Sequence, residues 1–487
     1  MLVVSASGSQ SLQLGQEACH FTREAPADVT CGRISVPENW ERSSDRTYEL
    51  PFLRIAPGTD NPSGPPIVFL PGGPGEDAGL GTWDQALYWR GLAQAIFQRR
   101  ELIILDVRGS GKSVPRLDCP RLNDPEVFFG LTATGRLGEV PKRTQEEAWK
   151  ECVELLRGQG VDLSSVNRHQ IARDVNALAR ALGLERIGLF GISYGTTYAM
   201  TVMRMYPDLV SDVVLDSVYP PETTADLKHS LLLGRVVGNF AAACSRDEAC
   251  SVDFPNLQET FMKALWKFFH TPKTLKIPLP DRIEDLSVTV DAVNFAHGLW
   301  SSMVWHGDVL WVPHMLETAT YEEPKTLTTM ITSAVQYGSY KYAAAGASLL
   351  SACYDLPQRK ASFPKGSLVT DEQLLMHADW VGGFYDACDS LPGDRAGPES
   401  RTPVRSDIPT LLLAGALDPA TPPYQAQTAA RHLKHGYLFV FPYGTHSMST
   451  YHACARELIW DFSADPGRRP HRSCLDRKTL KPFKILR

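Results

Sequence analysis

The stretch Ile187-Gly-Leu-Phe-Gly-Ile-Ser193-Tyr-Gly195 decides the fold, because a short apolar run passes directly into a serine flanked by glycines. A helical pattern through Met205 comes directly after it. A sharp turn from a buried strand into a helix presents a serine hydroxyl openly, and glycines two residues to either side leave room for the crowded backbone. The Gly-x-Ser-x-Gly pattern is common by chance, so its placement between strand and helix carries the prediction that Ser193 is a nucleophile rather than an ordinary turn serine.

Short apolar runs recur along the chain and predict a mostly parallel sheet that is covered on both faces. Helical patterns lie between them, and the clearest, Ile171–Gly183, places its apolar residues on one stripe. This alternation predicts a doubly wound α/β domain. The predicted strands are Arg33–Val36, Tyr48–Ile55, Ile67–Leu70, Leu102–Leu105, Ile187–Phe190, Val213–Leu215, Thr410–Leu413 and Tyr437–Phe441.

A long connection separates the apolar run at 213–215 from the next one at 410–413. It has mostly helical patterns and contains five tryptophans, and a connection of this length does not stay unstructured in a compact domain. We therefore predict a large, mainly helical cap domain over residues 220–395. Residues 1–219 and 396–487 would form the catalytic domain, with the Pro- and Gly-rich segment 391–403 leading back into the sheet.

The candidate base and acid lie near the end of the chain. Asp418 follows the run at 410–413 and His446 follows the run at 437–441, each just past the carboxyl end of a predicted strand, where open α/β sheets place their sites. Hydrolases with a serine in a strand-to-helix turn order their triad as serine, acid and histidine. Position and order therefore favour His446 as general base and Asp418 as its acid. The alternatives are His432, His435 and His452 for the base, and Asp386 and Asp389 for the acid.

Acyl transfer also needs backbone N–H donors for the oxyanion of its tetrahedral intermediate. The residue after the nucleophile, Tyr194, should supply one donor. The second should come from Pro71-Gly-Gly-Pro-Gly75, which lies directly after the strand at 67–70. Pro74 has no N–H, so we predict Gly73 as the donor, with Gly72 as the alternative.

Composition excludes several function classes. The net charge is −6 and no run of Lys or Arg occurs, which argues against nucleic acid and anionic membrane as partners. No apolar stretch reaches the length of a membrane span. Gly109-Ser-Gly-Lys-Ser113 resembles the tail of a phosphate-binding loop, but Asp106 stands where that motif needs glycine. We expect no cofactor and no metal.

Ten cysteines, none in a Cys-x-x-Cys motif, argue against a structural zinc site and for disulfides in an oxidising compartment. The alternative is a cytosolic enzyme with free thiols. The apolar, then small residues 1–8 fit either the remnant of a trimmed signal peptide or an ordinary terminus. We expect a secreted or periplasmic protein whose neighbouring cysteines pair as Cys19–Cys31, Cys119–Cys152, Cys244–Cys250, Cys353–Cys388 and Cys454–Cys474.

The chain resembles the prolyl iminopeptidases and secreted tripeptidyl aminopeptidases, which are serine peptidases of the α/β-hydrolase fold. Two departures occur: Pro71 replaces a histidine that often opens the Gly-Gly-Pro-Gly loop, and Thr445 and Ser447 replace the glycines that usually flank the histidine. Neither removes a catalytic group. The stretches that carry the likeness are Gly72–Gly75, Asp106–Ser113, Gly191–Thr196, Val214–Val218 and Asp418–Pro422, with Cys31–Pro37 and the last cysteines similar to the secreted tripeptidyl branch.

The resemblance implies a serine hydrolase that cleaves small peptides or amides from a free N-terminus through an acyl-enzyme. A carboxylesterase that holds apolar esters under the tryptophan-rich cap is the first alternative, because ester and peptide cleavage share the same machinery. An inactive binding protein of the same fold is the second. In the resembled exopeptidases, acids of the cap hold the substrate amine, and the candidates here are Glu222, Asp226, Asp281, Glu284 and Asp285.

Overall fold

A computed structural model defines the architecture. It describes residues 2–5, 11–21, 23–129, 144–223, 229–279, 283–304, 309–321, 324–338, 343–356, 370–378, 382–391 and 395–475.

One ten-stranded sheet organises the described chain. Its strands are β1 (Leu2–Ser5), β2 (Ser11–Gln16), β3 (Val29–Pro37), β4 (Thr47–Ile55), β5 (Ile67–Leu70), β6 (Leu102–Leu105), β7 (Ile187–Ile192), β8 (Val210–Asp216), β11 (Thr410–Gly415) and β12 (Gly436–Phe441). Strands β9 (Lys273–Ile277) and β10 (Leu286–Val290) form a separate two-stranded sheet. The order is β1-β2-β3-β4-β6-β5-β7-β8-β11-β12. Strands β6, β5, β7, β8, β11 and β12 are neighbours in this order and run parallel to one another. Strands β1–β4 are antiparallel to their neighbours, and β4 pairs with β6 in the antiparallel direction. The predicted fold class is confirmed, and all eight predicted strands are present.

The described chain has helices on both faces of this sheet and further helices in the segment between β8 and β11. They are α1 (Trp83–Ile96), α2 (Pro125–Phe129), α3 (Thr144–Gly158), α4 (Arg168–Ala181), α5 (Tyr194–Met205), α6 (His229–Cys244), α7 (Glu248–Asp253), α8 (Leu257–His270), α9 (Ala292–Val304), α10 (Val312–Thr320), α11 (Pro324–Gly338), α12 (Ala345–Asp355), α13 (Asp371–His377), α14 (Gly382–Asp389), α15 (Pro423–Ala430), α16 (Met448–Tyr451) and α17 (Ala453–Ala464). Alternate side chains of β5 enter different cores: Val68 and Leu70 pack with α3–α5, and Ile67 and Phe69 pack with α1 and α17. This two-sided burial explains why the strands are apolar without alternation.

The helix predicted over 171–183 forms as α4. Asn167 caps its start, since the side-chain oxygen accepts hydrogen bonds from the backbone N–H groups of His169 and Gln170. Ile171, Val175 and Leu178 are buried on one stripe, as the periodicity indicates.

The segment between β8 and β11 carries α6–α14 and the β9–β10 pair. Most of its apolar side chains form a separate core cluster, but α12 packs into the cluster of the large sheet, together with Ala387 and Cys388. Helix α12 therefore supports the sheet even though it lies within the inserted segment. The division at 220 and 395 stays a prediction.

The phosphate-loop-like stretch has a structural role. Asp106 is fully buried and accepts hydrogen bonds from the N–H groups of Ala78 (2.8 Å) and Lys112 (2.7 Å). Gly111 has φ +56°, and a Cβ there would lie 2.0 Å from the Asp106 carboxyl carbon. The glycine therefore allows the turn to wrap around a carboxylate, which leaves no cradle for a phosphate.

All five predicted cysteine pairs are present as disulfides, so the predicted connectivity is confirmed. Within the described ranges, no helix combines the length and apolar character needed to cross a membrane. The same residues contain no group of three or more His, Cys, Asp or Glu side chains arranged to hold a metal ion.

Candidate active site

Ser193 occupies a sharp turn between β7 and α5. Its backbone has φ 56° and ψ −124°, a conformation that L-residues rarely adopt and that recurs at functional sites. A Cβ on Gly191 would lie 2.5 Å from the Gly195 carbonyl oxygen, and one on Gly195 would lie 2.1 Å from the Leu70 carbonyl oxygen. Both glycines are therefore required for the turn that exposes the serine.

Asp418 and His446 come together beyond the ends of β11 and β12. His446 Nδ1 lies 2.8 Å from Asp418 Oδ2, and the aspartate is fully buried. Thr421 Oγ1 donates to the same carboxylate oxygen at 2.7 Å, while the N–H groups of Ala420 and Thr421 donate to Oδ1 at 2.8 and 2.9 Å. These donors fix the carboxylate and leave one oxygen directed at the histidine ring.

Mutual attraction shifts the pKa values of this pair in opposite directions. Burial disfavours ionised Asp418, but nearby His446 and the Thr421 hydrogen bonds outweigh it, so the aspartate pKa is lowered. Burial likewise disfavours protonated His446, but Asp418 outweighs it, and Asp216 and Glu76 add to the effect, so the histidine pKa is raised. The site thus favours an anionic acid beside a basic imidazole.

Asp216 and Ser217, at the end of β8, hold the serine and histidine loops together. The Asp216 carbonyl accepts from the Ser193 N–H at 2.9 Å, while its carboxylate accepts from the Ser449 N–H at 2.7 Å. Ser217 Oγ accepts from the Ser447 N–H at 2.7 Å. Sequence reasoning assigned no role to this pair, although they lie in one of the stretches that carry the resemblance. The sequence feature that could have identified Asp216 and Ser217 is an apolar strand that ends in two polar residues.

No hydrogen bond joins Ser193 Oγ to His446 among the described residues. The two residues lie after β7 and β12, on either side of β8, and the bonds through Asp216 and Ser217 hold their loops at the carboxyl end of β8. Catalytic hydrogen bonds are often long in the absence of substrate and tighten in the complex. The arrangement is therefore compatible with a proton transfer from serine to histidine.

Thr445 explains one departure from the resembled pattern. Its hydroxyl donates to the carbonyl oxygens of Met303 (2.6 Å) and Val304 (3.0 Å) at the end of α9. A glycine could not make this contact. The threonine therefore ties the histidine loop to the inserted segment.

The two predicted oxyanion donors follow adjacent strands, because Gly73 comes after β5, Tyr194 comes after β7, and Leu70 of β5 pairs with Gly191 of β7. Helix α12 supports both sides. At its start, the Ala344 N–H donates to the Gly75 carbonyl at 2.8 Å, and at its end Asp355 accepts a short hydrogen bond from the Tyr194 hydroxyl. The loop conformation also needs glycine, since Gly73 has φ +102°.

Glu76 is a site residue that the sequence reasoning missed. A Cβ placed on Gly72 would lie 2.9 Å from Glu76 Oε2 and 3.2 Å from Ser193 Cβ, so this carboxylate borders the nucleophile. Burial raises the pKa of Glu76, although nearby His446 opposes the shift. The sequence feature that could have identified Glu76 is its position directly after the glycine-rich loop.

The alternative candidates lie elsewhere or are not described. His452 begins α17 and packs against Phe441, whereas His432 and His435 precede β12 at the opposite end of that strand. Asp389 is exposed and pairs with Arg395. Of the remaining acids, Glu284 and Asp285 are exposed, while Asp226, Asp281 and the side chain of Asp386 lie outside the described residues.

Glu222 lies close to cations at the far end of α5. Its neighbours include His432 and Arg204, and Arg204 is in the last turn of that helix, about 16 Å along its axis from Ser193. Burial raises the pKa of Glu222. The cations around this acid also include Arg168, whose guanidinium lies 3.2 Å from Asp355.

Comparison with known proteins supports the same family. The family described as alpha/beta hydrolase fold matches residues 65–453. The serine protease Hip1 of Mycobacterium tuberculosis is 26% identical over 58% of this chain and 54% of its own length. A tripeptidyl aminopeptidase of Streptomyces lividans is 26% identical over 45% of this chain and 40% of its own. The chain thus spans about half the length of these curated relatives.

Among solved structures, a proline iminopeptidase-related protein of Thermus thermophilus is similar over 90% of this chain and 99% of its own, with 17% identity and a TM-score of 0.36. The family match covers most of the chain, including Ser193, Asp418 and His446. Because this family match covers more than half of the chain, the chain belongs to the alpha/beta hydrolase fold family, and relatives similar to it include proteins named as a serine protease and a tripeptidyl aminopeptidase.

Proposed function

We propose that the protein is a serine hydrolase that cleaves small peptides or amides from a free N-terminus through an acyl-enzyme. The observation that carries the proposal is the buried Asp418–His446 pair beside the strained turn of Ser193. A serine hydroxyl becomes nucleophilic when an oriented base takes its proton. Relatives named as a serine protease and a tripeptidyl aminopeptidase support a peptide rather than another acyl substrate.

In the acylation step, Ser193 Oγ attacks the substrate carbonyl carbon while His446 Nε2 takes the hydroxyl proton. Asp418 keeps the proton on Nδ1 and stabilises the imidazolium that forms. The N–H groups of Tyr194 and Gly73 donate to the oxyanion. His446 then gives its proton to the leaving amine, the C–N bond breaks, and the acyl group remains on Ser193.

Deacylation repeats these steps with water as the nucleophile. His446 takes a proton from water, the hydroxide attacks the ester carbon, and the same two N–H groups hold the second oxyanion. Collapse breaks the ester bond, returns the proton to Ser193 Oγ and releases a carboxylic acid. Every proton moves between the substrate, water and two side chains.

We also propose that the protein works in an exported, oxidising location, secreted or periplasmic. Five disulfides support this, because cytosolic reductants keep thiols reduced. Small peptides and amides arising outside the cytoplasm would then be the accessible substrates.

A substrate panel tests the proposal. Wild type and Ser193→Ala would be assayed on aminoacyl and peptidyl p-nitroanilides, their N-acetyl analogues, and short-chain p-nitrophenyl esters. We expect wild type to prefer free-amine amides by about ten- to a hundredfold in kcat/KM, the range for losing one charge-assisted contact. Ser193→Ala should lose turnover by about 10⁴- to 10⁶-fold, together with fluorophosphonate labelling.

Four results would contradict the proposal. Undiminished labelling of Ser193→Ala would remove Ser193 as nucleophile. Equal rates on free and N-acetylated amides would remove the aminopeptidase assignment, and a preference for apolar esters would favour a carboxylesterase on the same residues. Absence of turnover and of labelling in the folded wild-type protein would indicate an inactive member of the fold.

A further inference from the structure

The carboxylate of Glu76 lies close to the candidate nucleophile. Glu76 comes directly after the glycine-rich loop, and its Oε2 and Ser193 Cβ both lie next to the position that a Cβ on Gly72 would occupy, at 2.9 and 3.2 Å. The two atoms are therefore separated by no more than the sum of these two distances. A group bound to Glu76 would lie beside the acyl group on Ser193.

The position of Glu76 is fixed by its backbone. Glu76 forms an isolated β-bridge with Ala343, and the next contact along the chain joins the Ala344 N–H to the Gly75 carbonyl. The start of α12 thus holds the residue against the inserted segment. Because the backbone of Glu76 is held in place, its carboxylate can fix the distance between a bound substrate amine and the carbonyl carbon that Ser193 attacks.

The Glu76 side chain has no hydrogen bond or ion pair to another residue in the part of the chain that the structure describes. The residue is partly exposed, so a ligand can reach it. A carboxylate that loses water on burial gains most from a cationic partner. The substrate group that meets this need is a protonated α-amine, whose pKa of about 8 keeps it largely charged at neutral pH.

Distances along a peptide then limit how many residues can lie between this amine and the scissile bond. In a single aminoacyl group the amine nitrogen is about 2.5 Å from the carbonyl carbon, across one Cα. Two further residues in an extended chain move the amine about 7 Å farther from the carbonyl carbon of the scissile bond. A carboxylate beside Ser193 is therefore better placed for the amine of one residue than for the amine of an extended tripeptide, which lies about 9.5 Å from the carbonyl carbon.

We propose that Glu76 binds the substrate's α-ammonium group and makes this protein an aminopeptidase that releases single N-terminal residues. The inference rests on the proposed function and goes beyond it by fixing the number of residues released and the acid that selects them. The acid comes from the oxyanion loop of the sheet domain, and Glu222, which has His432 and Arg204 among its neighbours, is the competing acid that the experiment tests.

The experiment compares alanyl-, dialanyl-, trialanyl- and N-acetylalanyl-p-nitroanilide on wild type, Glu76→Gln, Glu76→Asp, Glu222→Gln and Asp84→Asn. Asp84 is an exposed acid in the first turn of α1 and controls for the loss of one charge. Hydrolysis of p-nitrophenyl acetate, which has no amine, reports whether the nucleophile and its base still work.

We expect wild type to be fastest on the alanyl substrate. Glu76→Gln should lose about ten- to a hundredfold in kcat/KM there, the cost of one charge-assisted contact. Because Glu76 also raises the pKa of His446, each variant is measured at a pH above its own acidic limb, where rates on N-acetylalanyl-p-nitroanilide and p-nitrophenyl acetate should change little. Glu76→Asp should keep part of the preference for the free amine. Glu222→Gln and Asp84→Asn should behave as wild type.

An equal loss in Glu76→Gln on alanyl and N-acetylalanyl substrates would overturn the inference, and so would a larger loss in Glu222→Gln. A wild type that is faster on trialanyl than on alanyl substrate would leave the aminopeptidase standing and remove the single-residue assignment. Equal wild-type rates with and without acetylation would instead remove the proposed function itself. If Glu76→Gln fails to fold, two other measurements test the inference. They are the wild-type rates on alanyl, dialanyl and trialanyl substrates, and the preference of Glu76→Asp for the free amine over the acetylated one.

Discussion

At the scale of single residues, the candidate site depends on which hydrogen bonds each polar group can make. Asp418 receives three bonds from Ala420 and Thr421 and one from His446, so its carboxylate has little freedom to turn. The histidine is nearly buried, with 11% of its side chain exposed, and its Nδ1 faces the aspartate. Nε2 is consequently the ring nitrogen left to act on Ser193.

The amide variant Asp418→Asn tests this orientation. It keeps the shape but favours the tautomer in which Nδ1 accepts rather than donates, and we expect kcat to fall about 10⁴-fold. Steady-state kinetics on the best amide substrate measures the loss, and Asp389→Asn, an exposed acid, serves as the control. Near-normal activity in Asp418→Asn would show that another acid orients His446.

The pH profile of kcat/KM tests the charges around His446. The base must be neutral, so activity falls as pH drops through its pKa, and Asp418 and Asp216 hold that pKa above the ordinary histidine value of about 6.5. Removing a negative charge lowers the histidine pKa. Asp216→Asn should therefore move the acidic limb to lower pH, whereas Ser449→Ala, which removes one hydrogen bond but keeps the charge, should leave it in place. An unmoved limb in Asp216→Asn would contradict this account.

At the scale of elements, helix α12 connects the two loops that carry the candidate oxyanion donors. Its first residues hold the glycine-rich loop, its last residue, Asp355, accepts from Tyr194, and the disulfide Cys353–Cys388 joins it to α14. Arg168 of α4 lies 3.2 Å from Asp355, so the buried carboxylate has one ion-pair partner and one hydroxyl donor. The helix thus carries part of the site from within the inserted segment.

Tyr194→Phe removes the hydroxyl donor while keeping the backbone N–H. The buried Asp355 carboxylate would lose a hydrogen bond, so we expect the free energy of unfolding to fall by about 1–3 kcal/mol. Urea denaturation measures it, with Tyr321→Phe as the control because Tyr321 is 79% exposed. Equal stability of the two variants would show that the Tyr194–Asp355 bond contributes nothing to the fold.

At the scale of the whole molecule, five disulfides join segments that are near in sequence, with separations of 6 to 35 residues. Each therefore staples a local unit rather than linking distant regions. One joins the N-terminal part to β3, one joins Cys119 to α3, two lie in the inserted segment, and one joins the C-terminal part to α17. Long-range order comes instead from the sheet and from the buried ion pairs Arg108–Asp174 and Arg100–Asp212.

Alkylation followed by mass spectrometry tests the cysteines. The native protein should show no alkylatable thiols, and the reduced, denatured protein should show ten. Because a closed loop limits the entropy of the unfolded chain, reduction should also lower the melting temperature. Ten reactive thiols in the native protein would overturn both the pairing and the proposed exported location.

The sequence by itself predicted eight of the twelve described strands, the strand-to-helix turn of Ser193, and the positions of Asp418 and His446 after strands, while the pairing of neighbouring cysteines rested on proximity alone. These features depend on local patterns: apolar runs, glycines that permit a tight turn, and residues that come directly after a strand. The sequence did not reveal the β1–β2 hairpin, the β9–β10 pair or the role of α12. Their partners are distant in sequence or have no local signature.

Glu76 and Asp216 show most clearly what only the tertiary structure decided. In sequence each is one acid among 55 acidic residues. Their importance arises because parallel strands bring their carboxyl ends to one edge, where Leu70 pairs with Gly191 and Ile192 with Asp216. Residues far apart in the chain then surround one histidine and one serine. Local patterns can predict which residues end a strand, but only the order of strands in the sheet decides which ends meet.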